Sequence, residues 1–174
     1  MTNRFHPRTL AARDWGFVAA MLALILDQGS KLLMLHAFGF NELRSGEAVP
    51  VFPFFNLVMV WNPGVSYGLF PARGLAGTLL LGLFSAVAVA ALGWWMWHSH
   101  RKSLTIGLGL VIGGALGNLI DRVIYGAVAD FFHFYAFGYD WYVFNVADIA
   151  ITFGVIALLY DAFVKPEARA ERSS

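Results

Sequence analysis

Carboxylates are the chemically capable side chains of this sequence. The absence of cysteine removes thiol nucleophiles, disulfides and thiolate metal sites. No His-Glu-x-x-His stretch is present, and His6, His36, His98, His100 and His133 are scattered, so metal-activated water has no evident cage. A serine nucleophile needs a basic neighbour. Ser30 and Lys31 adjoin but point to different faces of a helix, and Ser66 has no evident partner. Asp130 and Asp148 are more promising: close like charges share one proton, so one carboxyl can activate water while the other polarises a carbonyl and relays a proton. Asp27 and Lys31 lie i, i+4, the spacing of an intrahelical ion pair. Asn118, Asp121 and Arg122 follow an i, i+3, i+4 pattern on one helix face, and Arg122 offers forked donors to a carboxylate, a phosphate or a peptide carbonyl.

The surroundings of these groups are apolar. Of 174 residues, 59% are hydrophobic, 16% aromatic and 13% charged, and the formal net charge is +1. Mean hydropathy is +0.64. That balance argues against a soluble enzyme and against a nucleic-acid binder, which needs a basic surface to displace counterions. Four stretches approach the roughly 20 residues needed to cross about 30 Å of hydrocarbon: about 15–38, 74–97, 103–122 and 144–164. The second contains no ionisable residue, whereas Asp27, Gln28 and Lys31 interrupt the first and Asn145, Asp148 and Asp161 the fourth. The expected fold is an all-α integral membrane protein with four transmembrane helices, a small extracytoplasmic β-like segment and an interfacial aromatic loop. Residues 1–164 form a single domain on this reading, and 165–174 a polar cytoplasmic tail.

Cations set the orientation, because cytoplasmic loops retain Lys and Arg. Arg4, Arg8, Arg13, Arg101, Lys102, Lys165, Arg169 and Arg172 all fall on one side of the four spans, against Arg44 and Arg73 in the first opposite loop. Both termini are expected in the cytoplasm, with 39–73 and 123–143 outside. A cleaved signal peptide is the rival reading of the N-terminus, but 27–31 has no small-x-small cleavage pattern. The run 51–61 reads as a short strand or hairpin. The cluster of Phe131, Phe132, Phe134, Tyr135, Phe137, Tyr139, Trp141 and Tyr142 reads as an interfacial belt, with anchoring and substrate contact as alternatives. Gly107, Gly109, Gly113, Gly114 and Gly117 strip one helix of side chains, giving either close helix packing or room for an acyl chain.

Topology brings Asp130 and Asp148 to one depth, because the third helix leaves and the fourth re-enters at the same face. Each intramembrane acid also has a plain reading as a bundle-stabilising pair. The rival function is a proton-coupled small membrane carrier, since carboxylates within helices also relay protons. A binding scaffold without catalysis is a third reading.

Five segments in order carry a resemblance: Asp27-Gln28-Gly29-Ser30-Lys31, Asn62-Pro63-Gly64-Val65-Ser66-Tyr67-Gly68, Gly113-Gly114-Ala115-Leu116-Gly117-Asn118-Leu119-Ile120-Asp121-Arg122, Val128-Ala129-Asp130-Phe131 and Phe144-Asn145-Val146-Ala147-Asp148. Over residues 15–164 the chain resembles the lipoprotein signal peptidase (signal peptidase II) family of bacterial inner-membrane aspartyl proteases. The resemblance implies that Asp130 and Asp148 are the catalytic dyad. It also implies that Asn62, Gly64, Asn118, Arg122, Asn145 and Ala147 hold the substrate backbone or the peptide antibiotic globomycin, that Asp27 and Lys31 stabilise the site, and that Asp121 supports Arg122 and the helix end. The implied substrate is a diacylglyceryl-modified prolipoprotein cut just before its lipidated cysteine, by a monomer surrounded by membrane lipids. No metal or organic cofactor is implied. The aromatic segment from Phe131 onward would cover the site as a lid. Tyr67 departs from a family preference for Phe.

Overall fold

Backbone polar groups in hydrocarbon must pair within their own segment, so long apolar runs fold as helices. The computed structural model describes residues 10–43, 47–64 and 74–163. Ser66, Tyr67, Arg44, Arg73, the first basic residues and the polar tail lie outside them. Helix α1 covers Ala12–Leu32 and runs on through a π-helical turn, Leu33–Ala37. Helix α2 covers Gly74–His98, α3 Lys102–Tyr125 and α4 Val146–Phe163. All four are long and apolar enough to cross a membrane.

Helix α3 is the axis of the bundle, packed between α1 and α4, because its glycines admit their backbones on two sides. A side chain at Gly109 would strike the Gly16 backbone, and one at Gly114 would strike the Ala147 carbonyl and Ile151. The glycine surface is therefore filled by neighbouring helices and offers no room for an acyl chain. Helix α2, devoid of acids, lies against α3 and presents Leu79, Leu80, Leu83 and Phe84 outward.

The connections at one end are not loops, and the fold is not all-α. Strands β1 (Ala48–Phe52), β2 (Phe55–Asn62), β3 (Val128–Ala136) and β4 (Tyr139–Phe144) form one antiparallel sheet in sequential order. The run expected as a short strand or hairpin is the β1–β2 hairpin, and the expected aromatic loop is the β3–β4 hairpin. Phe131 is fully buried and packs edge-on against Phe132, so it is part of the interior and not of a surface lid. The sheet is seated on the bundle by Leu35, Phe40, Met59 and Ala129, which bury one another where α1 ends. Helix α3 stops at Gly126, whose φ of +76° is the left-handed cap that glycine adopts without strain. Val128 then enters β3 directly, which delivers Asp130 to the helix ends.

At the opposite end Asp161 is buried and pairs with Arg101, while Ser103 Oγ donates to it at 2.6 Å. Thr105 Oγ1 donates to the Ala12 carbonyl at 2.6 Å, tying α3 to the start of α1. Lys102 lies over the Trp15 ring and Arg13 over Trp97, each cation resting on a ring face.

Candidate active site

Asp148 stands three residues after Asn145, the spacing of a reciprocal helix cap. The Asn145 side-chain oxygen accepts the Asp148 N–H at 3.0 Å, and Asp148 Oδ2 accepts the Asn145 N–H at 3.3 Å. The start of α4 thus fixes the carboxyl. Its other oxygen accepts from the Asn118 amide of α3 at 3.2 Å.

Asp130 arrives on β3 and is 1% exposed. Its Oδ1 accepts from Asn145 Nδ2 at 2.7 Å and its Oδ2 from Asn62 Nδ2 at 3.1 Å. Asn145 therefore holds both acids, one through its side-chain amide and the other through the cap. Burial and the neighbouring Asp148 push the Asp130 carboxyl up to about 7, against the opposing pull of the Asn62 and Asn145 amides and the Lys31 ammonium.

Beneath the pair lies a sealed polar cluster. Lys31 Nζ is 2.8 Å from Asp27 and 2.8 Å from Asp121, and all three side chains are buried. The expected i, i+4 pair of α1 therefore gains a second acid from α3. Each acid has a further task. Asp27 Oδ1 accepts the Ala147 N–H at 2.9 Å, and Asp121 Oδ2 accepts the Ala129 N–H at 3.1 Å. The residues pinned in this way immediately precede Asp148 and Asp130. Gln28 Nε2 donates to Asp27, Asp121 and the Gly117 carbonyl at 3.1, 3.2 and 3.2 Å. Asn118 accepts from Lys31 at 3.3 Å and from Asn145 at 3.2 Å, joining this cluster to the dyad above it.

Asp121 is thus engaged with Lys31 and β3, while Arg122 turns elsewhere. The guanidinium donates to the Gly64 carbonyl at 2.8 Å and to the Asn118 carbonyl at 3.2 Å, and its buried Nε has no hydrogen-bond partner among the described residues. Gly64 N–H in turn donates to Asn62 Oδ1 at 3.0 Å. Asn62, Gly64, Asn118, Arg122, Asn145 and Ala147 all gather around the two acids. Two contributors escaped the sequence reading. Gln28 was legible only as part of a motif, and Tyr142, which accepts from Asn62 Nδ2 at 3.1 Å, only as one ring among many.

A cavity of about 710 Å³ opens from Asp148 between α2, α3, α4 and β4. Asn118, Arg122, Tyr142 and Asp148 make its polar end, and Leu81, Phe84, Ile149 and Phe153 its apolar walls. A buried strand carboxyl joined through Asn145 to a second carboxyl at the polar end of an apolar cleft, over four membrane-length helices, has the parts of a membrane-embedded aspartic peptidase. Residues 19–164 match the family model described as signal peptidase (SPase) II, and the chain belongs to that family. It is 54% identical over 153 residues to a lipoprotein signal peptidase of Rhodopseudomonas palustris (strain TIE-1), covering 86% of this chain and 92% of that one. It is 52% identical over 160 residues to a lipoprotein signal peptidase of Nitrobacter hamburgensis, covering 89% and 96%. A bacterial membrane enzyme solved by the in meso method at 1.9 Å superposes with a TM-score of 0.72 at 27% identity, over 86% of this chain and 93% of that one. The protein is a multi-pass peptidase of the bacterial inner membrane, and the carrier reading gives way to it.

Proposed function

We propose that Asp130 and Asp148 together form the catalytic centre that removes the signal peptide from prolipoproteins, cutting the bond before a diacylglyceryl-modified cysteine. The observation that carries this reading is the Asn145 bridge, which joins the buried Asp130 carboxyl on a strand to Asp148, the helix carboxyl that lines the cavity. Asp148 accepts a proton from the water that attacks the scissile carbonyl. Asp130, with its elevated affinity for a proton, donates one to the carbonyl oxygen. The tetrahedral intermediate then collapses. Asp130 recovers its proton from the hydroxyl, Asp148 protonates the departing amine, and the pair returns to its starting state.

Arg122, Asn118 and Gly64 hold the substrate backbone, and the apolar walls receive aliphatic parts of the substrate. Globomycin occupies the same cleft. The sheet faces the outside and both termini the cytoplasm, as the cation asymmetry requires, and the enzyme works as a monomer among membrane lipids. The test is cleavage of a lipid-modified prolipoprotein by purified Asp130→Asn and Asp148→Asn variants. Each variant is expected to lose activity while retaining the wild-type helical content. Normal cleavage by both overturns the dyad.

A further inference from the structure

One tyrosine near the dyad has no part in the scheme above. Tyr142 lies on β4 and Asn62 on β2, with β3 between them. The Tyr142 hydroxyl accepts from Asn62 Nδ2 at 3.1 Å, and the same nitrogen donates to Asp130 Oδ2 at 3.1 Å. The oxygen of that amide is occupied by the Gly64 N–H at 3.0 Å. A primary amide has two hydrogens in one plane. With Oδ1 held by Gly64, one hydrogen points to Asp130 and the other to Tyr142, so the amide cannot flip without losing all three bonds.

We propose that Tyr142 is a positioning residue for the dyad: its hydroxyl fixes the Asn62 amide and keeps one amide hydrogen on the Asp130 carboxyl. The assignment rests on the dyad reading above. Without the hydroxyl, one hydrogen of a part-buried amide has no acceptor, and the group turns toward whatever water it finds. The Asn62 bond to Asp130 then loosens. The other groups facing Asp130 stay in place: Asp148 from α4, Arg122 from α3, Lys31 from α1 and the Asn145 amide. The influence that the hydroxyl holds in place is the Asn62 donor. It is one that favours the charged carboxylate, so its loss moves Asp130 further toward the protonated form.

Kinetics of full-length wild type, Tyr142→Phe, Asn62→Ala and the double variant on a lipid-modified prolipoprotein test this. Tyr142→Phe keeps the ring and removes a single oxygen. It is expected to lower kcat by about three- to tenfold, the scale of one lost hydrogen bond, with KM little changed. The alkaline limb of its pH–rate profile should move up by about half a pH unit. Added to Asn62→Ala, it should have no further effect, because its route of action is already gone. An unmoved limb, a loss confined to KM, or effects that multiply in the double variant overturn the proposal. Full cleavage by Asp130→Asn would instead remove the dyad itself, a result distinct from any of these.

Discussion

The two sides of α3 are built on opposite plans. Toward α1 and the start of α4 the helix is glycine against backbone, and Lys31 with its acids is sealed between. Toward α2 and the sheet it faces a cavity of about 710 Å³. The sealed side encloses Lys31, Asp27 and Asp121, while the open side presents Asp148 to the cavity. Buried charges in a closed cluster are costly unless each is paired, but once paired they fix geometry. Here the rigid side locates Ala129 and Ala147 by their N–H groups, so the acids that follow them are held from behind while the substrate side stays open.

Breaking the closed side should have the largest effect. Lys31→Met leaves Asp27 and Asp121 buried without their cation, and a loss of about 3–5 kcal/mol in stability, with loss of activity, is expected by thermal denaturation in detergent. Gly113→Leu comes next. A side chain there meets the Ala20 backbone and Ala23, so α1 must move away from α3, at a cost of about 1–3 kcal/mol. On the open side Leu80→Ala faces outward from α2 and should stay within about 0.5 kcal/mol.

Asp130 sharpens the contrast, since its function works against its stability. A carboxyl held near 7 against an ordinary 3.8 binds its proton more tightly in the folded state. Its contribution to stability is full below about 4 and is lost as pH rises through about 7. Asp130→Asn, which never ionises, should therefore be inactive yet more heat-resistant than wild type at pH 8, by about 1–3 kcal/mol, with the difference fading towards pH 4. Equal denaturation temperatures at both pH values would remove the strained carboxyl from the account.

A small effect of the opposite sign belongs to the sheet tip. Phe137 has φ +53° at the β3–β4 turn and is 91% exposed, so its backbone sits where glycine is at ease. Phe137→Gly should raise stability in detergent by about 1 kcal/mol, read from the same denaturation curves.

The helices were legible because lipid imposes one solution on a long apolar run. The meeting of Asp130 with Asp148 was legible because the chain leaves and re-enters at one face. The strands after Val128 were not: Phe131, Phe132, His133, Phe134 and Tyr135 show no two-residue alternation, since the sheet packs on the bundle at its base and projects at its tip. The glycine surface was legible as a surface, but what fills it depends on helices far away in the chain. Gln28 and Tyr142 were hidden for the same reason, because their partners lie 93 and 80 residues distant. The Asn145 cap was open to reading from its spacing to Asp148 and is the local signal that ties the fourth helix to the chemistry.

Everything proposed for the site depends on Asp130 and Asp148 being coupled neighbours. Infrared titration of the protonated carboxyl band, in wild type and in Asp148→Asn, tests it most directly. A band is expected that titrates near pH 7, is absent from Asp130→Asn, and moves to lower pH when the Asp148 charge is removed. An Asp130 carboxyl that titrates near 4 and is indifferent to Asp148→Asn would contradict it.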